Sequence, residues 1–389
     1  MRRRPSRLEG MPGIGVDRMG DAADAANDPA LLRLENLDTD VRPPEAALAA
    51  TRAAIADDDA NSYLPFPGHS GLRRAAAAHV SALAGVGYDW RASCVVTAGG
   101  LNGILNVLLA ILEPGDEVVL AEPVYVGLLN RVRIAGGVPR LARLVPGEDG
   151  WWLDVDSLRA AVGPRTSAIL AVSPSMPTGA VHDLEEWEAI ADLCREHDLW
   201  LVDDAAFERL LFDGRGVLHP AALAGMEERT IVVGSASKEL RMIGWRVGWV
   251  VGPPALVEDV GLVGISNVVC QVGIAQAAVE AALTGDDGVP AFAAELERRR
   301  DLILRELDGL PVLAPHGGWS LLLDAGALGL TGAEASARLF ERGGVAATPM
   351  ENWGGEDAAR YLRFVFANEP VERLAELGER VRRALGTDG

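Results

Sequence analysis

Ser235-Ala236-Ser237-Lys238, followed by Gly244-Trp245-Arg246-Val247-Gly248, is the stretch from which the rest of the sequence is read. Lys238 is the only lysine in the chain; the other 35 of its 36 basic residues are arginines. A codon bias toward arginine accounts for that excess, but not for the place of the one lysine, a small-residue turn eight positions before Arg246. Arginine keeps its proton in a protein and is a poor nucleophile. Lysine can be made a neutral amine by burial and neighbours, and then condenses with a carbonyl to a Schiff base. The position therefore reads as a catalytic amine.

The bulk composition sets the frame. A chain of 389 residues is too long for one small core and predicts one large and one smaller domain. With 49% hydrophobic and 24% charged residues it is a well-buried globular protein. A formal charge of −20 opposes binding to nucleic acid, which needs a basic face. No run of 18 apolar residues occurs, so no membrane span is expected, and Met1-Arg2-Arg3-Arg4-Pro5 lacks the apolar stretch of a secretory signal. That start reads as a mobile tail, and the location as cytoplasmic. Cys94, Cys194 and Cys270 are widely spaced in apolar surroundings, so buried thiols are expected. The six histidines show no metal-ligand spacing, and no metal is expected.

From about residue 50 onward helical and strand patterns alternate. Helices are predicted over 71–83, 101–112 and 184–196, and strands over 94–97, 117–120, 167–172, 199–202 and 231–234. Short, nearly continuous apolar strands between amphipathic helices mean a mostly parallel sheet covered on both faces, of a seven-stranded type. After about Gly285 helical segments at 295–307, 334–342 and 372–385 flank β runs at 319–323 and 362–366. The expected division is an N-terminal tail and arm (1–45) packing with a smaller α/β C-terminal domain (286–389), and a large domain over 46–285.

In such sheets ligands bind beyond the carboxyl ends of the strands. There the sequence places Gly99-Gly100, Tyr125, Met176-Pro177-Thr178-Gly179, Asp204 and Ser235 to Lys238, one group after each of five strands. Ser235 and Ser237 offer hydroxyls, Arg246 a permanent cation, and the glycine pair backbone N–H groups at a helix start, together an anion site. A Schiff-base lysine beside a phosphate site describes a phosphorylated aldehyde, pyridoxal phosphate. Its ring nitrogen needs a carboxylate to keep it protonated. Asp203 and Asp204 are both placed for this, and Asp204 is preferred on its register with Phe207.

Over roughly residues 31 to 385 the chain resembles the class I/II aminotransferases, pyridoxal-phosphate enzymes of fold type I, through the serine-lysine block and the Gly-Trp-Arg-x-Gly segment. The resemblance implies that Lys238 holds the cofactor as an internal aldimine and moves the proton at the substrate. It implies that Asp204 pairs with the ring nitrogen and Tyr125 stacks on the ring, while Ser235, Ser237, Arg246 and the amides of Gly99, Gly100 and Leu101 hold the phosphate. Tyr63, in Tyr63-Leu64-Pro65-Phe66-Pro67-Gly68, matches the tyrosine that reaches the neighbouring subunit's phosphate, which implies a homodimer with shared sites. Arg363, in Tyr361-Leu362-Arg363-Phe364, matches the arginine that grips the substrate α-carboxylate.

Three departures stand against that likeness. The family's Asn-Pro-Thr-Gly reads Met176-Pro177-Thr178-Gly179, and its tyrosine three residues past the aspartate is Phe207. The lost asparagine and tyrosine donate to the cofactor's O3′; Met and Phe donate nothing, so the Schiff base is expected to keep its proton to higher pH than in the family. Leu37 stands where the family has a glycine near the substrate, and Met350 follows Pro349 in place of another.

The expected activity is transfer of the amino group of an L-α-amino acid to a 2-oxo acid through a pyridoxamine phosphate half-reaction. A lyase, cyclase or oxidase of an amino acid on the same scaffold is the alternative, since the missing donors retune the cofactor. A regulatory protein is the third reading, disfavoured because no DNA-binding domain fits in the first 45 residues. Trp319, Met350, Trp353 and Leu37 are possible walls of a side-chain pocket. For a distal carboxylate only Arg33 and Arg42 suggest themselves.

Overall fold

The computed structural model describes residues 5–387; Met1 to Arg4, expected as a tail, lie outside the described residues. The described residues form thirteen strands. In the N-terminal segment lies β1 (Leu32–Arg33). The large sheet uses β2 (Cys94–Thr97), β3 (Glu117–Glu122), β4 (Val138–Pro146), β5 (Trp151–Leu153), β6 (Thr166–Val172), β7 (Trp200–Asp204), β8 (Thr230–Ser235) and β9 (Gly248–Val251). The C-terminal part adds β10 (Ser320–Asp324), β11 (Val345–Ala346), β12 (Thr348–Pro349) and β13 (Tyr361–Val365).

The large sheet has the order β2-β9-β8-β7-β6-β3-β4-β5, eight strands where seven were expected. The additional one is the three-residue β5, which folds back antiparallel along the end of β4 and is too short to leave a periodic signal. The run β8-β7-β6-β3-β4 is parallel. β9 is antiparallel to both β2 and β8, so β2 and β8 point the same way. The carboxyl ends of β2, β3, β6, β7 and β8 therefore open along one edge.

Period-two alternation puts side chains of every central strand into two cores. Val118, Leu120, Val202 and Val233 face one cluster, and Val119, Leu201 and Val232 the other. Both faces are apolar because helices cover both, which is why these strands read as continuous rather than alternating hydrophobic runs. The helix Leu184–Glu196 falls where the sequence puts it, fixed by a capping box in which Asp183 and Glu186 serve each other's backbone N–H. The alanine-rich helices Glu45–Ile55 and Gly273–Thr284, which pack on each other, carry too little periodic contrast to be predicted.

The N-terminal segment is stitched to the C-terminal part of the chain. β1 pairs in parallel with β11, Leu34 N–H donates to Ala346, and Val365 N–H donates to Leu34. β10, β13 and β12 form a separate antiparallel sheet. Cys94 and Cys194 are buried, but Cys270 is only half-buried, because the turn after the helix Pro254–Asn267 lifts it to the surface. Among the described residues no helix is long and apolar enough to cross a membrane.

Candidate active site

Five strand ends converge on one cavity. Gly100, Leu101, Tyr125, Met176, Asp204, Phe207, Ser235, Ser237, Lys238, Arg246 and Leu37 all line it. These residues span some 210 positions of sequence.

The glycines make one wall. Gly99 sits at φ +86°, and a Cβ there would lie 2.6 Å from Arg246 Nη2. At Gly248 a Cβ would meet the Gly100 nitrogen at 2.6 Å. These close approaches bring the start of the helix Gly100–Ile111, which no side chain caps, against the β8 turn. Arg246 Nη1 donates to Ser237 Oγ at 3.1 Å and to the Ile243 carbonyl at 2.8 Å, and Ser237 N–H donates to Ser235 Oγ at 3.2 Å. Arg246 itself is held in the left-handed region at φ +55°, a conformation costing a non-glycine residue about 1 kcal/mol. Uncapped helix N–H groups, two hydroxyls and a guanidinium in one corner form an anion cradle.

Lys238 lines the same cavity. Its Nζ donates to the Leu37 carbonyl at 3.1 Å and lies 4.1 Å from the centre of the Trp319 ring. Burial is the main influence on its proton affinity and brings the amine down to about 7; Asp38 and Asp204 oppose that fall, while Arg363 and Arg246 reinforce it. Asp204 ends β7 with its carboxylate accepting from Ala206 N–H at 3.3 Å. Burial raises it to about 6, held from going higher by that N–H and by the charges of Arg131 and Lys238. Asp203, on the other side of the strand, is pushed well above the carboxylate range by burial and by Glu208 and Asp204. The register preference for Asp204 over Asp203 agrees with this placement, since only Asp204 lines the cavity.

The two residues that depart from the family have found other partners. Phe207 meets Trp319 edge to face at 5.3 Å. Met176 turns its Sδ to Arg363 Nη1 at 3.7 Å. Arg363 is fully buried in β13 and does not line the cavity: Nη2 donates to the Glu35 carbonyl and to Thr348 Oγ1, its plane lies over Trp353, and Nε has no partner. Tyr125 stacks edgewise on Trp353 at 5.4 Å. Met350, Trp353 and Trp319 are core residues beneath the site, not walls of it. Arg33 is engaged by Asp24 and Glu35. Tyr63 is 83% exposed, in a surface recess with Cys270 and Gly273 outside this cavity.

Arg131 was missed. It anchors on the Leu101 and Gly127 carbonyls and adds a third cation near Asp204. In sequence it looks like any helix-surface arginine. His79, Glu208 and Glu239, whose ligating atoms all lie within 4.8 Å of one another, were also missed, because His79 lies 129 positions before Glu208 and only folding brings the three together.

The residues fit pyridoxal phosphate: an amine of lowered basicity, a carboxylate in the same cavity, and a cradle at Gly99 and Gly248 that any Cβ would fill. Comparison with known proteins agrees. The sequence model of aminotransferases class I and II matches residues 32–381. A probable N-succinyldiaminopimelate aminotransferase of Mycobacterium tuberculosis is 37% identical over 359 residues, covering 87% of this chain and 90% of the relative. An aspartate/prephenate aminotransferase of Thermus thermophilus is 35% identical over 362 residues, covering 92% and 91%. The solved structure of the Mycobacterium tuberculosis N-succinyldiaminopimelate aminotransferase matches with a TM-score of 0.90 at 34% identity, over 99% and 100% of the two chains. These relatives do not favour the lyase, cyclase or oxidase alternative. The chain belongs to the class I and II aminotransferase family and is a pyridoxal-phosphate-dependent aminotransferase.

Proposed function

We propose that the amino group of an L-α-amino acid is passed to a 2-oxo acid in the cavity above Lys238, with the residues lining that cavity in the roles their positions suggest. The observation that carries this reading is the one lysine of the chain, brought to about 7 in a cavity that Asp204 also lines. Pyridoxal phosphate supplies an aldehyde for the amine and an electron-withdrawing ring.

The protein's part follows from its groups. Lys238 anchors the cofactor and, when displaced, takes a proton from the substrate Cα and returns one; an amine titrating near neutrality is suited to both. Asp204 would pair with the ring nitrogen and keep its proton in place. Ser235, Ser237, Arg246 and the N–H groups of Gly99, Gly100 and Leu101 would hold the phosphate, and Tyr125 would cover the ring. Arg363 takes the substrate α-carboxylate, exchanging the weak thioether acceptor of Met176 for two carboxylate oxygens. Leu37 closes the substrate side.

Tyr63, exposed here, reaches the phosphate of a second copy, so that the working unit is a homodimer with shared sites in the cytoplasm. Residues 1–45 and 286–389 act as one smaller domain against the large domain of 46–285. The test is the visible spectrum of the purified holoenzyme with amino acids added singly and no 2-oxo acid. Stoichiometric loss of the cofactor's visible band, reversed by a 2-oxo acid, is expected and names the donor. Continued turnover without an acceptor would refute transamination.

A further inference from the structure

Among the described residues Trp319 is one of three buried tryptophans whose indole N–H is unpaired, and of these the one that meets Lys238. It is 1% exposed, and its indole N–H has no hydrogen-bond partner. Burying an unpaired donor is unfavourable, and a phenylalanine would fill the place without that cost. What indole has beyond benzene is a more strongly negative face, the best of the aromatic faces for a cation. The one lysine of the chain lies over that face, with its Nζ 4.1 Å from the ring centre.

The ring is held for this contact. Gly318, at φ +77°, and Gly317, where a Cβ would strike the Leu210 carbonyl and Pro174, bring the chain sharply into β10. The Trp319 carbonyl accepts from Phe366 N–H at 3.0 Å, and Phe207 packs against the ring. Phe207 can do so as a plain hydrocarbon ring; a hydroxyl there would need a partner of its own.

We propose that Trp319 is a positioning residue for the reaction, its indole face being the seat that Lys238 takes as an ammonium whenever its amine is free of the cofactor. This rests on Lys238 being the cofactor's anchor. In this position the amine still lines the cavity, beside the place where substrate would react. The seat also counters burial: a face that favours the cation keeps the free lysine from losing its proton too readily, so that it can return one to the substrate. The charged groups bearing on Nζ besides the ring are Asp38 on the N-terminal segment, Asp204 at the end of β7, Arg246 after β8 and Arg363 on β13.

A single lysine makes the test direct, because lysine labelled with 13C at the ε carbon gives one side-chain signal. Holoenzyme reconstituted with pyridoxamine phosphate leaves that lysine free. In the wild type the attached protons should resonate upfield of those of free lysine, from the ring current, and the signal should titrate as one group. Trp319→Leu should lower the midpoint by about one pH unit, tenfold in proton affinity, and Trp319→Phe by less. No upfield shift in the wild type, or a midpoint unmoved in both variants, overturns the proposal. Should Trp319→Leu fail to fold, the wild-type shift and the Phe variant still decide. Replacing pyridoxamine phosphate by pyridoxal phosphate must itself move the signal; if it does not, the anchoring role of Lys238 has failed rather than that of Trp319.

Discussion

Asp203-Asp204 and Lys238-Glu239 are pairs of neighbours in sequence whose members part company, one to the cavity and one to the underside of the sheet edge. On the underside the charges close on one another. Glu239 accepts from Arg209 through both backbone N–H and guanidinium, Arg209 also pairs with Asp287, and His79 and Glu208 meet at 2.9 Å. Asp203, with no cation of its own, is driven well above the carboxylate range by burial and by Glu208 and Asp204. On the cavity side Lys238, Asp204 and Arg246 are not paired to completion, and they border empty space. Where buried charges satisfy each other they hold the fold; where they are left facing a cavity, a ligand completes them.

The largest effect expected on this contrast comes from Lys238→Ala. It should cut turnover by about a thousandfold, the range of a lost general acid–base, while thermal unfolding of the cofactor-free protein is unchanged or rises as a buried amine is removed. Glu239→Gln, one residue on, should reverse the pattern, lowering the melting temperature with turnover nearly intact, since it breaks the Arg209 pair.

The aspartates sharpen the comparison. Asp204→Asn should weaken cofactor binding by about 10- to 100-fold, as expected for a lost charged hydrogen bond, whereas Asp203→Asn should leave it within about twofold. Their pH dependence differs in extent. Both carboxyls are raised above their unfolded value of 3.8, so the native cofactor-free protein binds protons that the unfolded chain has released, and stability falls as pH rises. For Asp204 that loss spans 3.8 to about 6. For Asp203 it runs further, so Asp203→Asn should flatten the stability–pH curve more than Asp204→Asn. Unfolding curves at several pH values between 4 and 8 check this; equal flattening would show that the two sides are alike.

The smallest effect is expected at Met176. Met176→Asn should give Arg363 a stronger acceptor than the thioether and add a donor facing the cofactor's O3′, lowering the pH at which the Schiff base loses its proton. A visible pH titration reads this directly, and a titration unchanged or moved upward would contradict it.

The strand ends were legible because special residues follow short apolar runs: Gly99-Gly100 after β2, Asp204 closing β7, Ser235 closing β8. Residues whose meaning depends on what they meet were not. Arg131 differs from a surface arginine only in reaching the Leu101 carbonyl. Arg363 was legible as a buried strand arginine, but not its retreat behind Met176, since that depends on Glu35 and Thr348, 328 and 15 positions away. β9 was overlooked because its first residue, Gly248, belongs to the glycine-rich motif, which leaves only Trp249, Val250 and Val251 as an apolar run.

The chain has two kinds of amine, its N-terminus and Lys238, and this makes the decisive measurement simple. Holoenzyme reduced with borohydride and digested should carry one phosphopyridoxyl group per chain, on the peptide containing Lys238. A reduced protein with no such group, or with the group on the N-terminal amine, would contradict the placement of the reaction at Lys238.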